Sequence, residues 1–308
     1  MSKIHVGFTL GGLALTALLA APPARACSVC GCGDPLLISN DPAAISGQLR
    51  LQLDTEYLRM KAGNEEDPAL TDELTQWSYR LNAVYRPVDA LALTITLPFV
   101  TKTMNMTGGG ATTAVSDVTG LGDVELAARW ALLRSADLGS GRLHELAISG
   151  GASTPTGAND VKADGERIDE HGQPGTGSWG PFAGLHYRFE QRDWSAFASF
   201  SGRWHGVNSE GYRYGSALLW SVHGQWFASR RIALDLGVDG RHAAADADSG
   251  DTVVNTGGTV VSLAPGVYLN AYAGAWLFVR AQVPVVKNLT GVQDQLPTFL
   301  TGIQYQVR

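Results

Sequence analysis

All three cysteines of the chain fall within six residues, in the stretch "CSVCGCGDPLL" that runs from Cys27 to Leu37. Their spacing, C-x2-C-x-C, permits three kinds of chemistry. Thiolates are soft ligands that suit Cu(I) or Zn2+. Gly31 and Gly33 would let so short a loop wrap an ion, with Cys27, Cys30, Cys32 and Asp34 as ligands. Cys27 and Cys30 also form a C-x-x-C pair with Cys32 as a resolving thiol, the arrangement of a redox site. Acylation of Cys27 would instead make the segment an anchor. An odd number of thiols in an exported chain leaves one without an internal partner. No C-x-x-C-H occurs, so covalent c-type haem finds no attachment point, and one cluster cannot build a zinc ribbon.

Export is what the preceding residues indicate. Lys3 and His5 open the chain, Val6 to Ala21 is apolar, and Ala24-Arg25-Ala26 is a small-x-small cleavage site directly before Cys27. Residues 1–26 therefore read as a signal peptide. Residues 27–45 read as an irregular, cysteine-rich head, and 46–308 as the folded domain. The net charge is −6 with no basic run, which gives nucleic-acid binding no support. After the leader no run of 18 apolar residues occurs, so a helical membrane protein is not expected.

The folded domain has a period of two. In "QLRLQLDTEY", Arg50, Asp54 and Glu56 oppose Leu49, Leu51, Leu53 and Tyr57. In "DVELAARWALL", Asp123, Glu125 and Arg129 oppose Val124, Leu126 and Trp130. Strand side chains alternate between faces, so each stretch has one polar and one apolar face. About twelve such segments occur, near 46–60, 74–86, 90–104, 120–134, 142–155, 177–190, 194–206, 211–228, 231–243, 259–273, 275–287 and 297–308. Most are longer than the usual strand of about 5–6 residues and match the roughly 9–11 that cross a bilayer.

Connections alternate as well. Tight links at 86–89, 190–193 and 228–231 contrast with polar loops expected at 61–73, 105–118, 157–173 and 243–256. Short turns at one end and long loops at the other are the pattern of an outer-membrane barrel. A soluble β-sandwich also alternates, but its strands are shorter and less evenly spaced. Aromatics recur near strand ends on the apolar face: Tyr57, Trp77, Tyr85, Phe99, Trp130, Phe189, Trp194, Trp204, Tyr212, Trp226 and Tyr305. That placement suits interfacial girdles.

If the apolar face meets lipid, the polar face lines a lumen. It would then hold Arg50, Asp54, Glu56, Arg80, Asp123, Glu125, Arg129, Arg188, Arg203, Asp235, Asp239 and Arg280, joined by His186, Glu190, His205, Arg213, His223 and Arg241. These charges either brace one another or line a polar passage that selects solutes. Carboxylates at 163–170 and 246–251 do not match EF-hand spacing and read as solvated loops. No phosphate-binding loop or catalytic triad is evident, so the chain reads as non-enzymatic.

The stretch from Pro98-Phe99 through Gly120-Leu121-Gly122-Asp123, with the segments 148–157 and 206–218, resembles a bacterial family. It is similar to the outer-membrane barrels described as transporters of the meta-pathway of phenol degradation, over roughly residues 45–308. The resemblance implies a barrel that moves small molecules. Gly120 and Gly122 would let the chain turn from a loop into a strand at unusual φ, and Asp123 would cap that turn or contact a lumen arginine.

The expectation is an all-β, monomeric transmembrane antiparallel barrel of about twelve strands that passes a small solute across outer-membrane lipid. Its cysteine head would face a periplasmic metal or redox carrier. The alternative is a non-conducting anchor that presents the head to that partner.

Overall fold

A computed structural model describes residues 47–63, 71–108, 111–137, 139–272 and 274–307. The leader, the head 27–45 and with it Cys27, Cys30, Cys32 and Asp34 lie outside the described residues.

The strands are β1 (Leu49–Gly63), β2 (Thr71–Val88), β3 (Leu91–Gly108), β4 (Ala111–Leu121), β5 (Glu125–Asp137), β6 (Arg142–Ser153) and β7 (Gly180–Gln191). They continue with β8 (Trp194–Arg203), β9 (Ala217–Phe227), β10 (Ile232–Ala243), β11 (Gly258–Tyr272), β12 (Ala275–Leu289) and β13 (Thr298–Val307). Apart from β4 and β5, sequence neighbours pair antiparallel, and β1 pairs with both β2 and β13, so the sheet closes. β4 and β5 share one place in the ring. β4 pairs with the far half of β3 (Phe99↔Leu121, Lys102↔Val118) and β5 with the near half (Leu91↔Trp130, Thr96↔Glu125). The result is a closed twelve-strand antiparallel barrel, as the alternation predicts.

The expected loop at 105–118 is instead a hairpin. Its β-branched run "TTAVSDVT" continues the sheet, and the strand breaks only at Gly122-Asp123-Val124.

Short turns gather at one end of the barrel and long connections at the other. Of the long connections, residues 154–179, 204–216 and 244–257 fold against one another. The two ends of the described chain meet at the short-turn end, where Leu49 pairs with Val307.

The polarity of the wall is inverted across its middle and ordinary above it. Trp77, Tyr79, Leu81 and Tyr85 of β2 are exposed on the outside, while Gln76, Ser78, Arg80 and Asn82 are buried inside. The nine residues from Trp77 to Tyr85 match the length of a tilted bilayer crossing. Above Tyr57 the pattern flips. Arg59 and Lys61 point outward and form ion pairs with Glu73, while Leu58, Met60 and Ala62 turn inward. There Leu58, Met60, Leu74, Met104, Ala217, Leu219, Ala243 and Val260 form one apolar cluster, drawn from β1–β3 on one wall and β9–β11 on the other. The upper barrel is thus built as a protein in water, with a packed core.

Candidate functional site: the lumen and its lid

Below the apolar cluster the lumen is charged, because alternate residues of every strand must point inward. On β1 and β2, Arg80 bridges two carboxylates, at 2.7 Å to Asp54 Oδ1 and 3.1 Å to Glu56 Oε2. Asn82 adds a 2.8 Å hydrogen bond to Asp54. On β9 to β12, His223 lies between Asp235 (2.7 Å) and Asp239 (2.9 Å), and Arg280 reaches Asp235 at 3.5 Å. Arg203 pairs with Glu125 and stacks over the Phe182 ring at 5.0 Å. A third group surrounds Glu145. Arg129 binds its Oε1, while Arg188, Arg86 and Arg134 lie 3.4, 3.6 and 3.9 Å from its Oε2.

The structure therefore places Asp54, Glu56, Arg80, Glu125, Arg129, Arg188, Arg203, Asp235, Asp239 and Arg280 on the lumen side, in three networks and the Arg203–Glu125 pair. Arg50 is also buried there, nearer the short-turn end. Glu145 was absent from the expected set, although it falls on the inward phase of "RLHELAIS" and the alternation could have found it.

Asp123 behaves differently from the expected lumen charge. It accepts hydrogen bonds from Gly157 N (2.9 Å), Thr176 N (2.7 Å) and Thr176 Oγ1 (2.6 Å), and so anchors the connection 154–179 to the strand break. Gly120 and Gly122 are likewise corrected: neither has a positive φ. Their role is close approach. A Cβ on Gly120 would lie 3.1 Å from Pro174, and one on Gly122 would lie 3.1 Å from Pro98.

From that anchor the connection runs inward. Its single helical turn, Glu170–Gly172, is wholly buried. Lys102 Nζ donates to the carbonyls of His171 (2.9 Å) and Gln173 (2.7 Å). A Cβ on Gly172 would come within 2.9 Å of the Met104 sulfur, so the turn rests on the apolar cluster. His171 Nε2 is 3.0 Å from Asp246 Oδ2, to which Tyr212 also donates at 2.6 Å, and Gly215 N donates to Oδ1 at 2.6 Å. The three long connections thus form one lid, closed on a buried carboxylate. Asp246, expected in a solvated loop, is 1% exposed, and Tyr212, expected in the girdle, is 3% exposed.

The electrostatics of the lid follow from burial. Hydrogen bonds from His171 and Tyr212 hold the Asp246 carboxyl below its usual range despite its burial. Burial and the neighbouring Asp246 push the Tyr212 phenol up. Burial, with Arg203 and Arg241 nearby, pushes His205 down to about 3, so it stays neutral. At the rim, burial and the facing Asp169 raise Asp72 to about 6.

An apolar outer band, a charged lumen and a folded-in lid define a membrane-type β-barrel architecture. Among solved structures, the chain is similar to the COG4313 outer membrane channel from Pseudomonas putida F1. The TM-score is 0.66 at 13% identity, covering 87% of this chain and 99% of that one. Weaker likenesses extend to the transport unit of the autotransporter AIDA-I from Escherichia coli, with TM-score 0.48, 10% identity and coverage of 86% and 92%. They also include the CymD monoaromatic hydrocarbon channel, with TM-score 0.42, 9% identity and coverage of 89% and 90%. No family model and no curated protein matches the sequence. At 13% identity, the likeness to the COG4313 channel establishes the fold alone.

Proposed function

We propose that the chain is an outer-membrane barrel that passes a small solute. The observation that supports this is the wall itself: a nine-residue apolar band edged by Trp77 and Tyr85 encloses buried charges, and the polarity reverses above Tyr57. A band of that height suits hydrocarbon, and a water-soluble protein would bury it. The likeness to the COG4313 outer membrane channel agrees with this reading. The short turns would face the periplasm, as in other barrels of this type. The head 27–45 would lie on that side, where Cys27, Cys30 and Cys32 could meet a soft metal or a redox carrier. That part rests on sequence spacing alone.

The second reading is the non-conducting anchor. It is favoured by the apolar cluster, which draws on opposite walls, and by the lid resting on it. Reconstitution of the purified barrel in planar bilayers separates the two. Stepwise currents support passage. A folded, inserted barrel that carries no current, even after shortening of 154–179, supports the anchor.

A further inference from the structure

The ion networks of the lumen differ in balance. Arg80 serves two carboxylates, and Asp235 and Asp239 share His223 with Arg280 beside Asp235, whereas four arginines crowd Glu145. Three of those four share one oxygen, Oε2, at 3.4 to 3.9 Å. One carboxylate oxygen cannot satisfy three guanidinium groups. Asp89 and Glu190 reach the same cluster, from positions more exposed to solvent.

The wall beside this cluster is lined by small and hydroxylic residues. On the inward face of β6, β7 and β8, Arg188 stands opposite Glu145 and Phe197, and His186 stands opposite Ala147 and Ser199. In the next inward row Gly184 stands opposite Ser149 and Ser201. His186 Nε2 meets Ser149 Oγ at 2.7 Å. Four neighbouring polar atoms on this wall have no protein partner: Arg188 Nε, His186 Nδ1, Ser199 Oγ and Ser201 Oγ. All four residues are more than nine-tenths buried. Buried polar atoms without partners are rare, because each forfeits its solvation. Here they lie side by side under an excess of arginine. An oxyanion supplies several acceptor lone pairs and the missing negative charge together, and charge-assisted bonds to guanidinium are the strong ones.

We propose that the lumen wall of β6, β7 and β8 binds a small oxyanion, held by Arg188, His186 and Ser199 beside the arginine cluster at Glu145. The site gives the channel reading its solute class and rests on that reading for its purpose. The same chemistry suits a carboxylate or a phosphate.

The test is calorimetric titration of the full-length, folded barrel in detergent with inorganic phosphate and, separately, with succinate. The expected result is saturable binding of at least one probe, weakened about tenfold or more in Arg188→Ala and unchanged in Arg59→Ala on the outer face. The preferred probe identifies the headgroup. If Arg188→Ala does not fold, the pair His186→Gln and Ser199→Ala must weaken binding. Absence of saturable binding by a folded barrel overturns the site, as does equal affinity in the variants. Bilayer recordings keep the two ideas apart. A barrel that binds phosphate but passes no current loses the channel reading and keeps the site. A barrel that conducts and binds neither probe loses the site alone.

Discussion

His171 and Asp246, 75 residues apart in the chain, meet at 3.0 Å inside the lid. The carboxylate also takes the Tyr212 hydroxyl and the Gly215 amide, so one side chain joins all three long connections. Removing it strands several buried donors at once. Asp246→Ala is expected to cost about 3 kcal/mol of lid docking. The barrel strands should stay folded, while limited proteolysis cuts 154–179 faster and mean conductance rises. Unchanged proteolysis would mean the lid is held elsewhere.

Asp72 gives the rim a pH dependence of defined sign. Its folded value, about 6, lies above the ordinary carboxylate value, so the folded state holds the proton more tightly than the unfolded one. Stability therefore falls as pH rises from about 4 to 6, and the full penalty, about 2 kcal/mol, persists above. Asp72→Asn should be more stable than the parent at pH 8 and should lose that advantage by pH 4. Gel-shift melting curves at the two pH values read this difference.

Arg80 should matter more to stability than any single carboxylate beside it. It bonds both Asp54 and Glu56, and all three side chains are buried. Arg80→Ala leaves two buried anions facing each other, at a cost of about 3–5 kcal/mol. The double variant Asp54→Asn with Glu56→Gln in the Arg80→Ala background should recover part of that loss in urea titrations. No recovery would show that packing, rather than charge, dominates.

Gly175 tests the strand break. A Cβ there would lie 2.6 Å from the Gly157 backbone, which itself sits against Gly122. Gly175→Ala should push 154–179 away from the break and open the lid, with little change in the melting of the strands. An increase in conductance without a change in the gel-shift midpoint would confirm it.

Much of the barrel can be read directly from the chain. "QLRLQLDTEY" declares its inside and outside because a strand offers only two faces, and lipid and lumen demand opposite chemistry. The flip above Tyr57 is equally present in the letters: Leu58 and Met60 occupy the phase that Asp54 and Glu56 hold below, and Arg59 and Lys61 take the other. Alternation alone does not say that the membrane has ended there, since only the fold reveals what surrounds each face. The hairpin at Ala111–Leu121 was hidden by the glycines before it, which look like loop. The lid could not be read at all. Asp123 finds Thr176 across 53 residues and Asp246 finds His171 across 75. Such pairings depend on where the strand ends bring the connections, and no local pattern records that.

The closure of the sheet bears on how the chain can assemble. Its first and last described strands are zipped together, with Gln306 donating to Leu49 across 257 residues of sequence. Contacts so distant in sequence form slowly, because the ends of a very long loop must first be brought together. Until β13 has been made and docked, β1 carries a row of unpaired amides and carbonyls, which hydrocarbon cannot solvate. The seam is thus the last step of biogenesis, and a catalyst of insertion would have to shield two open edges of the sheet at the same time. Substitutions along Leu49–Tyr57 or Phe299–Val307 should then slow the appearance of folded barrel more than their effect on its final stability would suggest.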